Sequence, residues 1–469
     1  MEYLGLFSAV LLLIWLALRG VDIVFAALAC SVLVIVTNGL PLADGLIQHF
    51  GLGPLGAFNF AGKFFLLFVA GAVFGRVMGD SHAAASVALA LVRKLGAHRA
   101  LWITTLACAL LTYGGVVVFV VIFAMYPLGL RLLQEANIPK RLFCAALALG
   151  AGTFTLTALP GTPSIQNVIS SVALGTDLFA GFWIGLIGGL LMFGAGIWYL
   201  EWQRGIAATR GEGFEPGPRD RIEPIHDSHY PHWALALLPL VTVLLTIILP
   251  RVLTALLPDT ALAGDTAAMR ILRFANGQPV VWPSIALFMG TALALVLFPA
   301  VRRHGLDVVG AGTHDSIMPL INTAAVIGFG GVVTQTVGFQ SLAQWAVHSD
   351  MPPLLSMFLS ISIVSAVTGS ASGGLQIFMQ TLAPAYLERG MDPETLHRLA
   401  TMASGGFDSL PHCGAVIAML TITQLTHKQA YRDIGVITVI IPVAVTLLML
   451  VATALADTAP LDQVTGIRW

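Results

Sequence analysis

Leu159-Pro160-Gly161-Thr162-Pro163 and Thr368-Gly369-Ser370-Ala371-Ser372-Gly373-Gly374 are two polar stretches that interrupt otherwise apolar segments of the chain. Each half also holds one further polar stretch. This is Thr112-Tyr113-Gly114-Gly115 in the first half and Ser409-Leu410-Pro411-His412 in the second. A helix interrupted at membrane depth leaves backbone N–H and C=O groups unpaired, and lipid cannot satisfy them. Such breaks occur where they line a cavity, and matched breaks in two halves of a chain indicate a transport site.

The composition is that of a membrane protein. Of 469 residues, 57% are hydrophobic and only 10% are charged, whereas a soluble domain is about 25% charged. The net charge of −1 gives no footprint for nucleic acid, so we expect the lipid bilayer as the partner. The stretch from Met1 to Leu18 is apolar and lacks a basic start, which favours a first membrane helix over a cleaved signal. The cysteines are expected to be buried free thiols: Cys30, Cys108, Cys144 and Cys413.

Apolar stretches of about 20 residues predict the membrane helices. The sequence therefore predicts an all-α polytopic membrane protein. Its expected spanning segments are 3–18, 21–37, 101–131, 140–172, 178–200, 233–250, 281–300, 353–387, 395–424 and 434–456.

Two further apolar regions, about 60–95 and about 317–347, are interrupted near the middle by glycine-rich polar stretches. These stretches are Gly71 to Ser81 and Gly330 to Gly338. Each leaves two arms that are too short to cross a membrane comfortably, so we predict a re-entrant hairpin in each region. Two tilted full helices per region are the alternative.

An internal repeat organises the chain. The order of hairpin, broken helix, proline loop and broken helix occurs twice, with Leu159-Pro160 answering to Leu410-Pro411. Five spanning segments per half are an odd number, so the second half starts on the other side of the membrane and the repeat is inverted. The predicted units are 1–200, a soluble linker 201–232, and 233–469. Their broken helices are 101–131 and 140–172 in the first half, 353–387 and 395–424 in the second.

The first break offers groups for an anion. Pro160 and Pro163 cannot both lie inside a regular helix, so the chain should unwind there and a new helix should start near Ser164. A helix N-terminus favours an anion. The alternative is that these groups only satisfy the freed backbone of a kink. The predicted substrate ligands are Thr162, Ser164, Gln166 and Asn167.

The second break, Thr368 to Gly374, is a continuous run of small residues, several of which carry hydroxyl groups. Small residues in membrane helices often serve close helix packing, but packing favours one face and this run covers all of them. An unwound loop of hydroxyls and carbonyls can hold a substrate oxygen or a small cation. The predicted substrate ligands here are Ser370, Ser372 and Gly373, joined by Ser81 from the first hairpin, while Thr368 is assigned to the coupling ion.

Two titratable residues lie at the third break, which is the stretch around Ser409 to His412. Asp408 and His412 lie in an apolar segment, where ionisable side chains are costly and indicate function. Either could bind and release a proton, and a purely structural role for each is the alternative. Arg76 and Asp80 are spaced to pair on one helix face; Arg76 could instead attract an anionic substrate.

Enzyme and metal signatures are missing from the sequence. It has no HExxH, GxSxG or Walker A motif. His226, His229 and His232 have a spacing that could hold a metal, but they lie in the polar linker and we read the spacing as incidental. We predict no metal site, no cofactor and no enzymatic activity.

The residues at Gly75 to Ser81, Thr112 to Pro127, Thr153 to Asn167 and Phe407 to Ile417 resemble the gluconate/proton symporter family of permeases. The similarity is to the branch with Tyr-Gly-Gly, Ala-Leu-Pro-Gly-Thr-Pro and Asp-Ser-Leu-Pro-His stretches, and it spans about residues 1–200 and 280–456. The Pro160 to Pro163 segment differs from that of gluconate carriers, so the resemblance implies a class of substrate rather than gluconate itself.

This resemblance implies a secondary carrier of the ion transporter superfamily. The implied substrate is a small hydroxy- or carboxylic acid, and the implied coupling cation is H⁺ or Na⁺. A mobile transport domain would move against a scaffold in an elevator-type cycle, in a homodimer in a bacterial inner membrane. A channel for small anions, a membrane-embedded enzyme using Asp408 and His412, and a non-transporting subunit are the alternatives.

Overall fold

The computed structural model describes residues 2–19, 21–96, 99–116, 118–218, 220, 230–256, 266–411 and 413–458. Every regular element in these ranges is helical. The helices of the first half are α1 (Glu2–Leu18), α2 (Ile23–Thr37), α3 (Leu42–Asp44), a π-helix (Gly45–Leu52), α4 (Ala57–Asp80), α5 (Ala83–Leu95), α6 (Ala100–Tyr113), α7 (Val118–Ala136), α8 (Lys140–Gly152), α9 (Phe154–Thr157), α10 (Ile165–Leu174) and α11 (Phe182–Thr209).

The described residues of the second half also form only helices as regular elements. It comprises α12 (Trp233–Leu256), α13 (Ala267–Gly277), α14 (Val281–Leu297), α15 (Pro299–Arg302), α16 (Gly305–Val333), α17 (Val337–His348), α18 (Pro353–Thr368), α19 (Ala371–Thr381), α20 (Ala383–Glu388), α21 (Pro393–Ser404), a 3-10 turn (Phe407–Ser409), α22 (Gly414–Thr423), α23 (His427–Gly435), a π-helix (Val436–Ile440) and α24 (Ile441–Thr458).

Local sequence signals set several helix ends. Asp392 caps α21 by accepting a hydrogen bond from the Thr395 N–H at 2.8 Å, and Pro393 occupies the first turn, where its missing N–H costs nothing. Helix α10 ends at Gly175, which adopts the left-handed conformation at φ 66°. Short-range chemistry therefore places these boundaries.

Long apolar helices confirm the prediction of a membrane protein. Among the described residues, five helical segments are long and apolar enough to cross a membrane, or six if the pair α13–α14, bent by 106°, is counted as one. The five are Leu42–Asp80, Phe182–Thr209, Trp233–Thr254, Gly305–Val333 and His427–Ala456. The cysteines are buried and free, as predicted.

Each glycine-rich stretch is helical up to a turn near its end. Helix α4 runs unbroken through Gly71 to Asp80 and the chain turns at Ser81–His82, while α16 continues to Val333 and the chain turns at Thr334–Thr336. Some glycines of these helices serve close packing: a Cβ on Gly331 would lie 2.4 Å from the His49 carbonyl oxygen, and a Cβ on Gly312 of α16 would lie 2.7 Å from the Cα of Val73 on α4. The segments before the turns are 39 and 29 residues long.

The segment predicted as the broken helix 353–387 forms a helical hairpin. Gly369 is left-handed at φ 59° and joins α18 to α19. The chain folds back there, because the Tyr386 hydroxyl on α20 lies 2.7 Å from the Ser356 hydroxyl near the start of α18. A Cβ on Gly374 would also lie 2.6 Å from the Cα of Ser365. In the first half, α6 and α7 pack side by side at the equivalent place.

The central linker starts later than predicted, because α11 continues to Thr209. Its first part is docked rather than free. The Lys140 ammonium at the start of α8 forms a buried ion pair with Asp220 at 2.8 Å. Tyr126 OH and Gln424 Nε2 also donate to Asp220, at 2.7 and 2.9 Å. Arg141 binds Glu212 at 2.8 Å.

The helices pack mainly within two groups. The scaffold group consists of α1, α2, α4, α12 to α14, α16 and α17, with α4 packed along α16. The core group consists of α6 to α11 and α18 to α24, with α10 packed against α19 and α21. Helices α4, α5, α16 and α17 contact both groups. Both interrupted helices, α8–α10 and α21–α22, belong to the core group.

Candidate functional site

A cavity of about 1460 Å³ lies where the two groups meet. It is lined by α4 and α16 of the scaffold group, by the first turn of α10, and by the start of α19. The 3-10 turn at Phe407–Ser409, the start of α22 and residues of α5 to α8 also contribute to the lining. Both breaks of the interrupted helices therefore open onto one space.

In the first break, the chain is non-helical between α9 and α10. Gly161 is left-handed at φ 78°, and a Cβ there would lie 2.5 Å from the Phe179 ring, so only glycine fits. Ser164 caps α10: its Oγ accepts from the Asn167 N–H at 3.3 Å and donates to the Leu156 carbonyl at 2.7 Å. The remaining first-turn amides, Ile165 and Gln166, have no intrahelical partner, and both residues line the cavity.

The carbonyls of the first break are bonded to side chains. Tyr113 OH donates to the Pro160 carbonyl at 2.8 Å. Arg398 Nη1 donates to the Ala158 carbonyl at 3.2 Å and to the Leu159 carbonyl at 3.4 Å. The negative ends of three consecutive peptides are thus neutralised, which leaves amide donors as the free backbone groups at the start of α10.

The four residues predicted as ligands in the first break separate into two pairs. Ser164 and Gln166 line the cavity, and the buried Gln166 Oε1 has no hydrogen-bond partner. Asn167 is fully buried and outside the lining; its Nδ2 donates to the carbonyls of Thr162 and Leu178, each at 2.9 Å. Thr162 is equally buried and also outside the lining. Neither residue is part of the cavity wall, and their contact with a substrate stays a prediction.

At the second break, Thr368, Ser370 and Ser372 line the cavity. Ser370 caps α19 by accepting from the Gly373 N–H at 3.2 Å, and its hydroxyl lies 3.2 Å from that of Ser372. Gly373 is outside the lining. A Cβ on it would lie 3.3 Å from the Val326 side chain of α16, a close contact.

Asp408 lies on the cavity wall, at the start of α19. Its carboxylate accepts a hydrogen bond from Ser409 Oγ at 3.0 Å and lies near the backbone N–H of Ala371, the first residue of α19. Tyr431 OH holds the turn by donating to the Ser409 carbonyl at 3.0 Å. A protein carboxylate therefore occupies the N-terminus of α19, where a helix favours negative charge. His412 lies outside the described residues.

The scaffold side of the cavity carries a charged triad. Arg76 binds Asp80 at 2.8 Å, which confirms the predicted pair, and also Asp315 of α16 at 3.1 Å. Arg76 is the one arginine or lysine among the described lining residues. Ser81, predicted as a ligand, is buried outside the lining and donates to the Met78 carbonyl at 3.3 Å.

Two residues of α21 were missed by the sequence reasoning. His397 and Arg398 are fully buried. His397 places Nδ1 2.7 Å from Thr176 Oγ1 and Nε2 2.8 Å from Asn167 Oδ1. It therefore holds the side chain of Asn167, in the first turn of α10, in place. An ionisable pair inside the apolar stretch 395–424 was the available signal.

No group of three or more metal-binding side chains is found in the described part of the chain. His226 and His229 lie outside it.

Comparison with known proteins gives a consistent picture. Residues 1–456 match the family described as GntP family permease. The chain is 36% identical, over 95% of its length and 97% of the relative, to an uncharacterized transporter, YxjC, of Bacillus subtilis (strain 168). It is 24% identical, over 76% of its length and 77% of the relative, to a high-affinity gluconate transporter of Escherichia coli (strain K12).

Two solved transporters share the fold. The YdaH transporter of Alcanivorax borkumensis superposes with a TM-score of 0.53 at 16% identity, covering 96% of this chain and 98% of that one. MtrF of Neisseria gonorrhoeae, from a class of antimetabolite efflux pumps, gives 0.52 at 15% identity, covering 87% and 84%. The helical fold is thus a transporter fold, and the family match over nearly the whole sequence shows that the chain belongs to the GntP family of permeases.

Proposed function

We propose that the protein is a secondary active transporter of a small hydroxy acid anion, driven by H⁺ or Na⁺. One observation carries the proposal. Two helix N-termini, those of α10 and α19, open onto the same cavity. The N-terminus of α19 holds the carboxylate of Asp408, while the amides of Ile165 and Gln166 at the N-terminus of α10 are free for a carboxylate from outside.

The orphaned oxygen of Gln166 supports a hydroxyl on the substrate. A buried acceptor without a donor is costly, and Oε1 of Gln166 is such an acceptor on the cavity wall. A hydroxy acid supplies both missing groups: its carboxylate accepts from the first-turn amides of α10, and its hydroxyl donates to Gln166. Gluconate, named for the Escherichia coli relative, has this chemistry.

The charge balance of the cavity supports a coupling cation. Its lining includes the carboxylates of Asp80, Asp315 and Asp408 but a single arginine, Arg76. An anion entering this surplus of negative charge is repelled unless a cation enters with it. Asp408 lies beside the Ser370 and Ser372 hydroxyls, and we assign it the proton, or the Na⁺ together with those hydroxyls.

The arrangement of helices supports alternating access. The sequence predicts the same order of elements in both halves, and an odd number of spanning segments per half would make the repeat inverted. The core group carries both interrupted helices, and the scaffold group carries the opposite wall of the cavity. In an elevator-type cycle the core group would move along α4 and α16.

Transport by purified protein in proteoliposomes tests the proposal. Vesicles loaded with unlabelled gluconate, lactate or glycerate should accumulate the labelled acid transiently by counterflow, and a pH or Na⁺ gradient should drive net uptake. A channel gives flux without counterflow. Protein that transports none of these acids under either gradient, while stabilised by none of them in a thermal-shift measurement, would contradict the proposal.

A further inference from the structure

Arg398 is a buried cation held only by backbone. Its side chain is fully buried, and it forms no ion pair among the described residues. Nε donates to the Ala180 carbonyl at 3.0 Å and Nη2 to the Leu178 carbonyl at 3.1 Å. Nη1 donates to the carbonyls of Ala158 and Leu159 in the first break. Each of these hydrogen bonds of the guanidinium thus goes to a backbone carbonyl, and no carboxylate of the described residues pairs with it directly.

The surrounding chain is shaped to admit this side chain. A Cβ on Gly181 would lie 2.5 Å from the Cβ of Arg398, and a Cβ on Gly185 would lie 2.8 Å from its Cδ. Gly181 is also left-handed at φ 59°. Two glycines at the start of α11 therefore leave the space through which the Arg398 side chain reaches the first break. A buried charge is expensive, so a packing role alone would be served at lower cost by an apolar residue.

The first and third breaks consequently differ in the charge beside them. Arg398 belongs to α21, in the second half, yet its charge lies against the carbonyls just before α10. The third break carries Asp408 instead. Because an arginine stays protonated in proteins and a buried charge is poorly screened, Arg398 places a permanent positive potential behind the free amides of α10.

We propose that Arg398 is a positioning and selectivity residue that makes the α10 site prefer a carboxylate over a neutral ligand without touching it. This inference rests on the proposed function. Arg398 binds the carbonyls that would repel an anion, and its charge adds to the dipole of α10. Arg76, on the opposite wall, is already shared by two carboxylates and is less able to supply this potential.

Binding of matched carboxylate and carboxamide ligands tests the inference. The purified full-length protein is titrated with gluconate, lactate and glycerate and with the corresponding amides. For the acid that binds wild type most tightly, Arg398→Gln should reduce the carboxylate-over-carboxamide preference at least about tenfold, the ratio that corresponds to 1.4 kcal/mol. Arg398→Lys keeps the positive charge but loses the several N–H donors of the guanidinium. It should keep most of that preference while lowering thermal stability.

His397→Gln is the matched control, because it removes buried bonds on the same helix without removing a charge. It should lower thermal stability and leave the carboxylate-over-carboxamide ratio near wild type. If His397→Gln or Arg398→Lys lost the preference as Arg398→Gln does, the role of Arg398 would be structural and the inference wrong. Unchanged preference in Arg398→Gln would have the same consequence.

A second variant keeps the test decisive if Arg398→Gln does not fold. Asp177 forms an ion pair with Arg251 and lies near Arg398, where it opposes the same potential. Asp177→Asn should increase the carboxylate preference, and an unchanged or reduced preference would contradict the inference. Wild-type protein that binds none of the acids would instead contradict the proposed function, and the inference would fall with it.

Discussion

His397 and Asn167 are 230 residues apart in the chain, yet His397 Nε2 lies 2.8 Å from Asn167 Oδ1. The amide nitrogen of Asn167 donates to two carbonyls, those of Thr162 and Leu178. The side chain of Asn167 is therefore fully engaged within the protein. Its position joins the first break, the loop after α10 and helix α21 into one unit.

Asn167→Ala should destabilise the protein rather than remove a ligand contact. It strands two buried hydrogen-bonding groups, the Thr162 carbonyl and His397 Nε2, which predicts a loss of about 2–4 kcal/mol in unfolding free energy. The Leu178 carbonyl keeps its donors from Gly161 and Arg398. The apparent unfolding temperature in detergent measures this loss. Ser372→Ala is the control, because its hydroxyl lines the cavity and bonds only to Ser370 among the described contacts. A normally stable Asn167→Ala variant with weakened substrate binding would restore Asn167 to the ligand set.

Gln166→Leu should show the opposite pattern. The unpartnered Oε1 makes no contribution to folding, so its removal should leave the unfolding temperature of the ligand-free protein unchanged or higher. Loss of the hydroxyl contact should raise the dissociation constant for a hydroxy acid by about tenfold. Deoxy acids, which lack the hydroxyl, should bind Gln166→Leu and wild type equally. A large loss of stability in the ligand-free variant would contradict the assignment.

Asp408→Asn should separate exchange from coupling. The amide oxygen can still accept the hydrogen bond from Ser409 Oγ, so the fold of the break should persist. A neutral side chain cannot release a proton or balance Na⁺, so gradient-driven uptake should be lost while counterflow continues. Ser409→Ala, which removes the hydrogen bond to Asp408 and keeps its charge, should retain gradient-driven uptake. Accumulation by Asp408→Asn at the wild-type level would move the coupling site elsewhere.

Asp220→Asn should produce a pH-dependent loss of stability. Burial by itself would raise the pKa of the Asp220 carboxyl, but hydrogen bonds from Lys140, Gly217 and Tyr126 together lower it below its ordinary value of 3.8. The stabilisation is therefore present above about pH 4 and disappears as the pH falls through the folded-state pKa. At pH 7 the variant leaves the Lys140 charge buried and unpaired, at a cost of about 3–5 kcal/mol.

Unfolding temperatures of wild type and Asp220→Asn between pH 3 and pH 7 check this. The difference should be largest near neutral pH and shrink towards acid. A difference that stayed constant across the series would show that the ionised carboxylate of Asp220 is not the stabilising species.

The sequence by itself determined the class of protein, the positions of the breaks and many helix ends. These features depend on local chemistry. Apolar runs select the membrane, Pro160 and Pro163 stop a helix, and serine at positions 164 and 370 caps the next one. The placement of Gln166, Ser372 and Asp408 on the cavity followed from the same short-range reasoning.

Only the tertiary structure decided which glycine-rich stretches turn and which pack. Gly312 in α16 and Gly369 before α19 look alike in sequence, but one admits the backbone of α4 and the other reverses the chain. Glycine permits both outcomes, and the choice depends on distant neighbours. The same holds for Arg398, whose contact with Ala158 spans 240 residues: no local pattern specifies that partner, because packing of α21 against α10 and α11 brings it there.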